Sequence, residues 1–191
     1  RQLLYNLRRY PHRSVYHTGF VIVFLGADGS GKTTISNRIE SEVSTLFNNV
    51  TRFHLRPYLI GKPGTNETVV TNPHGQKERS AFTSLMKLAY FLIDYSFGYL
   101  LKVMPLKVKS NLIIFDRYYY DILIDPKRYR YGAPMWCAKF VGLFIPKPDL
   151  FIILDAPAKI INNRKKEVTL AETKRQCASY LEFGLKQKNC I

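Results

Sequence analysis

Gly26-Ala27-Asp28-Gly29-Ser30-Gly31-Lys32-Thr33 is the stretch whose reading decides the fold. It fits the pattern G-x-x-x-x-G-K-[ST], and its flanks fit too: an apolar run, Phe20-Val-Ile-Val-Phe-Leu25, leads in, and a helix-like segment leads out. A glycine-rich turn between a strand and a helix lets successive backbone N–H groups converge on phosphate oxygens, with the positive helix end behind them. Lys32 then reaches the terminal phosphates and the Thr33 hydroxyl is placed for a divalent cation. Asp28, Gly29, Ser30, Gly31, Lys32, Thr33 and Thr34 are therefore the candidate nucleotide-binding residues.

Working outward, short apolar runs recur at 20–25, 50–55, 112–115 and 150–154, each rich in Val, Ile, Leu or Phe. Runs this short, bounded by Gly, Pro or Asp, read as strands covered on both faces, as a parallel sheet between helices requires. Helices are expected at 32–47, 80–104, 134–144, 157–166 and 170–186. Pro157 suits a first helical position, and Thr169-Leu-Ala-Glu172 has the form of a capping box. The expected fold is α/β, a three-layer α/β/α P-loop NTPase sandwich with a mostly parallel sheet. The segment 61–75, with its Pro, Gly, Asn and Thr residues, reads as a long loop near the site.

The 191 residues, 46% of them apolar, suit one domain at 19–191 preceded by a basic arm at 1–18. That arm interleaves Arg1, Arg8, Arg9 and Arg13 with leucines, so peripheral membrane contact and packing on its own domain both fit it. With 29 Lys+Arg against 14 Asp+Glu, the net charge of +15 points to anionic partners. No nucleic-acid-binding motif accompanies that charge, and no nucleic acid is expected as a partner. The most apolar segment, 85–104, carries Lys87, Asp94 and Lys102, which are costly in lipid, so it reads as a buried helix. Cys137, Cys177 and Cys190 form neither a ligand pattern nor an even set, which favours a reducing, cytoplasmic setting. The chain opens on Arg1 and closes at Asn189-Cys190-Ile191, where another strand would be starting, so residues are expected beyond both ends.

A second strand-then-carboxylate signal lies at Asn111-Leu-Ile-Ile-Phe115-Asp116. A carboxylate at a strand's C-terminal end lands on the cation side of a phosphate cradle, and Arg117 adds charge for phosphate. Thr33 and Asp116 are the candidate metal ligands, for Mg²⁺. Asp155-Ala-Pro157 has the same form but reads as a strand end and helix start. No N-K-x-D guanine signature is present.

These residues resemble thymidylate kinase and its relatives among the nucleoside-monophosphate kinases. The resemblance rests on Gly26 to Thr34 with its acidic third position, on Asp116-Arg117-Tyr118, and on Leu154-Asp155-Ala-Pro157 followed by Arg164-Lys165-Lys166. It implies that Asp28 contacts the acceptor's sugar and that Asp116 and Arg117 work at the metal and acceptor phosphate. Gly29 stands where some members carry an arginine, which implies a helical lid whose Arg164, Lys165 or Lys166 closes over the phosphates. Lys32, Asp116, Arg117, Arg164 and Lys165 are thus the expected catalytic set. The family's adenine-contacting loop would follow a strand that begins near Cys190.

The departures fall on the acceptor side. An Arg-Glu-Pro-Gly-Gly-Thr-like segment is replaced by His54-Leu-Arg56-Pro57-Tyr58-Leu, leaving Arg56 as a remnant for an anionic acceptor. The stretch 116–132 is more similar to a divergent group of thymidylate kinase-like proteins found with bacterial surface-polysaccharide genes. Asp28, Arg56, Arg117 and Tyr118 are the expected acceptor contacts. Tyr118 to Tyr120 and Tyr129 to Tyr131 fit stacking on a base as well as packing on the sheet, and Arg128 and Arg130 fit phosphate as well as solvent. His54 has the same two readings.

The expected activity is phosphoryl transfer from ATP, with Mg²⁺, to a small anionic acceptor such as a nucleoside monophosphate. A sugar or nucleoside hydroxyl would need a carboxylate base such as Asp28 or Asp121. A module that binds ATP without transfer is the rival from another class. A homodimer is compatible with all three.

Overall fold

Six apolar residues in a row suit a strand covered on both faces, and β1 (Phe20–Leu25), buried from Val21 onward, is accordingly an inner strand of the sheet. The computed structural model describes residues 18–59, 73–75, 77–165 and 168–191. The arm at 1–17, most of the loop expected at 61–75, and Lys166 lie outside the described residues. β1 is followed by α1 (Lys32–Val43), β2 (Val50–His54), α2 (Ala81–Gly98), α3 (Met104–Val108), β3 (Leu112–Asp116), α4 (Asp121–Ile124), α5 (Met135–Gly142), β4 (Leu150–Ile153), α6 (Ala158–Arg164) and α7 (Leu170–Leu185).

All strand pairs are parallel, in the order β2-β3-β1-β4. The register sets His54 and Phe24 on either side of Asp116, so the carboxyl ends of three strands lie level. Alternate residues feed opposite faces. Ile22, Phe24, Leu112 and Ile114 pack with Ile39 and Val43 of α1. Val21, Val23, Leu25, Ile113 and Phe115 pack with Leu88, Phe91 and Tyr95 of α2, Ala138 of α5 and Tyr180 of α7. That division is the expected three-layer sandwich. Beyond β4, Cys190 pairs in parallel with Phe151, tied by Phe151 N to Asn189 O at 2.8 Å and Ile191 N to Phe151 O at 3.0 Å.

Helix ends differ from the sequence reading where local chemistry intervenes. α1 stops at Val43 and tightens into a 3₁₀ turn at Ser44–Leu46, and α2 begins where the Ser80 hydroxyl accepts from Thr83 N at 3.3 Å. Pro105 has no N–H to give, and the chain widens into a π turn at Tyr99–Val103 before α3. Thr169 caps α7 by accepting from Glu172 N at 3.3 Å, but the Glu172 carboxylate turns to Arg175 rather than back to the cap. One expectation is corrected: the 85–104 segment is buried on one side only, because Met86, Ile93, Phe97, Leu100 and Leu101 face outward, from 48% to 65% exposed. No helix among the described residues is long and apolar enough to cross a membrane. The three cysteines are free thiols.

Candidate active site

The turn from β1 into α1 needs backbone that a side chain would strain. Gly31, the residue before α1, has φ 94° and ψ 16°, and a Cβ there would meet nothing within 4 Å, because the turn faces an open cavity. That cavity, about 910 Å³, is lined by residues 28–35 together with His54, Asp116, Arg117, Arg128, Arg164 and Lys165. Every P-loop residue expected to bind nucleotide lies on it, as do Asp116, Arg117, Arg164 and Lys165. Five cationic side chains face two carboxylates there, so charge as well as backbone suits the cavity to an anion.

Lys32 is 8% exposed, and its ammonium donates to Gly26 O at 2.8 Å and Ala27 O at 2.9 Å. Burial, with Arg117 adding to it, lowers its pKa to about 8, although Asp28 lies 3.7 Å away. Burial would raise the Asp28 carboxyl. Arg117, Arg128, Lys32 and Lys165 together reverse that and hold it well below the usual carboxylate range. Arg117 donates to Asp28 Oδ1, while Arg128 Nη1 lies 2.5 Å and Lys165 Nζ 3.7 Å from Oδ2.

Asp116 ends β3 with one oxygen 3.8 Å from His54 Nδ1 and the other, Oδ1, buried without a hydrogen-bond partner. Burial pushes its carboxyl up, and the His54 contact, Lys32 and Arg117 bring it below the ordinary value. A buried, unpartnered carboxylate oxygen on the cavity that Thr33 also lines is the kind of hard-oxygen pair that suits Mg²⁺. Arg117 follows at φ 81°, uncommon for a bulky residue; its N–H donates to Phe24 O at 3.1 Å, and this kink turns its side chain onto Asp28.

The segment expected to act as a lid follows β4 as α6. The end of α6 lies against the P-loop: a Cβ at Gly29 would meet Ile161 O at 3.2 Å and Lys165 Cβ at 3.4 Å, so the glycine leaves room for the end of α6. Arg164 Nη1 reaches Gly29 O at 3.5 Å.

Three expectations on the acceptor side are corrected. Tyr118 is fully buried, with its hydroxyl on Pro146 O at 2.7 Å and its ring edge-to-face with Tyr95 at 4.8 Å, so it is core and not an acceptor contact. Tyr119 and Tyr120 pack likewise, which decides that pair of readings for packing. Asp121 is 1% exposed and accepts from Tyr118 N at 3.2 Å and Tyr180 OH at 2.5 Å, so it is not placed as a base. Arg56 does not line the cavity. Its guanidinium sits 4.7 Å from the Tyr58 and Tyr90 rings and 3.4 Å from Asp94, a cation held among aromatics. Conversely, Arg128 and His54 are brought to the cavity although the sequence left both open. The register partner of a strand-end carboxylate was the available signal for His54; for Arg128 there was none.

No protein-family model matches this chain. It is 26% identical over 153 residues to "Probable thymidylate kinase 1" of Saccharolobus solfataricus, spanning 76% of this chain and 70% of that one. It is also 26% identical over 164 residues to "Probable thymidylate kinase" of Staphylothermus marinus, across 78% and 70% of the two chains. The fold matches the crystal structure of thymidylate kinase from Ehrlichia chaffeensis with a TM-score of 0.59, 20% identity, and coverage of 91% of this chain and 85% of that one. Neither these relatives nor the matching structure supports the expected similarity to the surface-polysaccharide group. Sequence relatives and matching fold together make this chain a distant homologue of the thymidylate kinases, built on the α/β fold of the P-loop NTPases.

Proposed function

We propose that this chain transfers the γ-phosphoryl group of ATP to a small anionic acceptor, most simply a nucleoside monophosphate. One observation carries the reading: a P-loop, a lid edge and the Asp28–Arg117 pair all open onto one cavity in which cations outnumber carboxylates. Phosphoryl transfer passes through a loose transition state whose charge spreads over equatorial oxygens, so catalysis is chiefly the placing of cations around it. In this reading the P-loop amides and Lys32 hold the donor phosphates. Arg164 and Lys165 approach them from the lid, and Arg117 faces the acceptor. Thr33 and Asp116 would hold Mg²⁺, which supplies charge neutralisation between the donor phosphates when bound. An acceptor that is already a phosphate needs no strong base, consistent with Asp121 being sealed in the core.

The test is ADP release from Mg·ATP with nucleoside monophosphates, nucleosides and sugars offered in turn. A monophosphate should raise turnover well above background, and Lys32→Ala should lower kcat/KM by about 10³-fold or more. A nucleoside or sugar as the best acceptor would move the reading to hydroxyl phosphorylation. ATP binding with no acceptor-stimulated turnover would favour the binding module.

A further inference from the structure

Arg128, for which the sequence leaves phosphate and solvent both open, is the only side chain from the 125–132 turn that lines the cavity. We infer that Arg128 determines acceptor specificity by gripping the acceptor's anionic group, and that Asp28 holds its guanidinium ready until that group arrives. The inference rests on the proposed phosphoryl transfer.

Topology assigns the side. In the order β2-β3-β1-β4, the P-loop after β1 stands between two arms: the lid edge after β4 and the Arg117–Arg128 arm after β3. In-line transfer needs donor and acceptor on opposite sides of the moving phosphoryl group. With Arg164 and Lys165 against Gly29 on the β4 side, the β3 side is left for the acceptor.

Arg128 is held there by its backbone. Its N–H donates to Asp125 Oδ1 at 3.3 Å, and Asp125 is itself fixed by Gln176 at 2.9 Å and by His74 at 2.9 Å. Tyr129 N and Tyr131 N both close onto Pro126 O, at 3.1 and 3.0 Å. Arg130 shares the turn and the charge but takes φ 54°, and its Nε donates to Lys77 O at 2.9 Å, away from the cavity.

Charge supplies the second half. Asp28 has Arg117 on one oxygen and Arg128 on the other, with Lys32 and Lys165 at 3.7 Å, so one carboxylate answers four cations. A phosphomonoester brings roughly −1.5 to −2 at neutral pH, and a planar guanidinium already facing a carboxylate is oriented for the similar oxygen pair of a phosphate.

The experiment measures equilibrium binding of dTMP, dCMP, dGMP, dAMP and UMP, each against its uncharged nucleoside, to the full chain and to Arg128→Ala and Arg128→Lys, with Mg·ATP affinity measured alongside. Arg128→Ala should lose at least tenfold in affinity for the preferred monophosphate, keep its nucleoside affinity, and hold Mg·ATP within twofold. Arg128→Lys, which keeps the charge but not the fork, should lose part of the same affinity. Equal monophosphate affinity in Arg128→Ala and wild type overturns the inference and leaves phosphoryl transfer standing. So does an equal loss of Mg·ATP affinity, which would make Arg128 merely a prop for Asp28. A wild-type protein that binds none of the monophosphates overturns both.

Discussion

The P-loop and the stretch 117–131 are built on opposite terms. Around the P-loop, buried polar atoms stand without hydrogen-bond partners: Ser30 Oγ and Asp116 Oδ1 both do, on a cavity where a ligand can supply them. Along 117–131 nearly every polar side chain is satisfied from within, Tyr118 by Pro146 O, Tyr119 by Ala138 O, Tyr131 by Pro134 O, and Asp121 by Tyr180. The first region is a backbone shape waiting for oxygen atoms; the second is core that happens to be rich in hydroxyls and charge. Counting polar residues does not tell such regions apart, whereas tracing the partner of each buried atom does.

Asp28 joins the two regions, and removing its charge has the largest expected effect. Arg117 is 6% exposed, so Asp28→Asn leaves a buried guanidinium poorly answered and should cost about 3 kcal/mol. That is a fall of roughly 6–12 °C in Tm for a domain of this size. Inorganic phosphate should restore part of the loss in Asp28→Asn and do less for wild type, because an added anion can take the carboxylate's place. The pH dependence fixes the sign. The folded carboxyl lies below its ordinary value of 3.8, so its contribution is complete above that pH and declines only as pH falls toward the folded value. The stability difference between wild type and Asp28→Asn should therefore be flat from neutral pH down to about 4 and shrink below. A difference that shrinks already near pH 6 would mean that Asp28 does not carry the pairing.

Lys32 gives a smaller effect that separates the regions. Its pKa of about 8 lies below the unfolded value of 10.5, so between those values the unfolded chain holds a proton that the folded one has shed, and folded stability rises with pH there. Below about 8 the cost of burying the charge is fully present. Phosphates beside the ammonium favour its charged form, so Mg·ATP binding at pH 8 should take up about half a proton, falling toward zero well below that. Calorimetry in buffers of different ionisation enthalpy measures it. Lys87, against the Tyr129 ring on the other side, also has its pKa lowered to about 8 by burial and by Arg79, Arg56 and Arg130. Uptake lost in Lys32→Arg and kept in Lys87→Met places the event at the P-loop; the reverse pattern would place it on the acceptor side.

What could be read from sequence divides along the same line. β1 and the P-loop were legible because eight residues define a backbone path, and glycine and apolar runs report backbone directly. Strand ends moved by a residue at most: β2 and β4 stop one short of expectation and β3 runs one further. The fates of Tyr118, Arg128 and Arg130 were not legible, because side-chain direction there follows from positive φ at Arg117 and Arg130, and neither residue advertises that conformation. The outward face of α2 was hidden for another reason. Its apolar residues occur on both sides of the helix, and composition alone reads as burial all round.

Tyr129 is the exception inside the satisfied region and gives the smallest effect. Its hydroxyl is buried with no hydrogen-bond partner, and burial, with Asp121 nearby, raises its pKa. An unanswered hydroxyl destabilises the fold, so Tyr129→Phe should stabilise the ligand-free protein by about 1 kcal/mol, a Tm rise of about 2–4 °C. The ring stays against Lys87, so packing is conserved. If Tyr129 belongs with the core, the gain should be the same with Mg·ATP and a monophosphate present. If instead the hydroxyl finds its partner in a ligand, as Ser30 and Asp116 are placed to do, the gain should vanish or change sign once both substrates are bound. The boundary between the two regions would then run through Tyr129 rather than beside it.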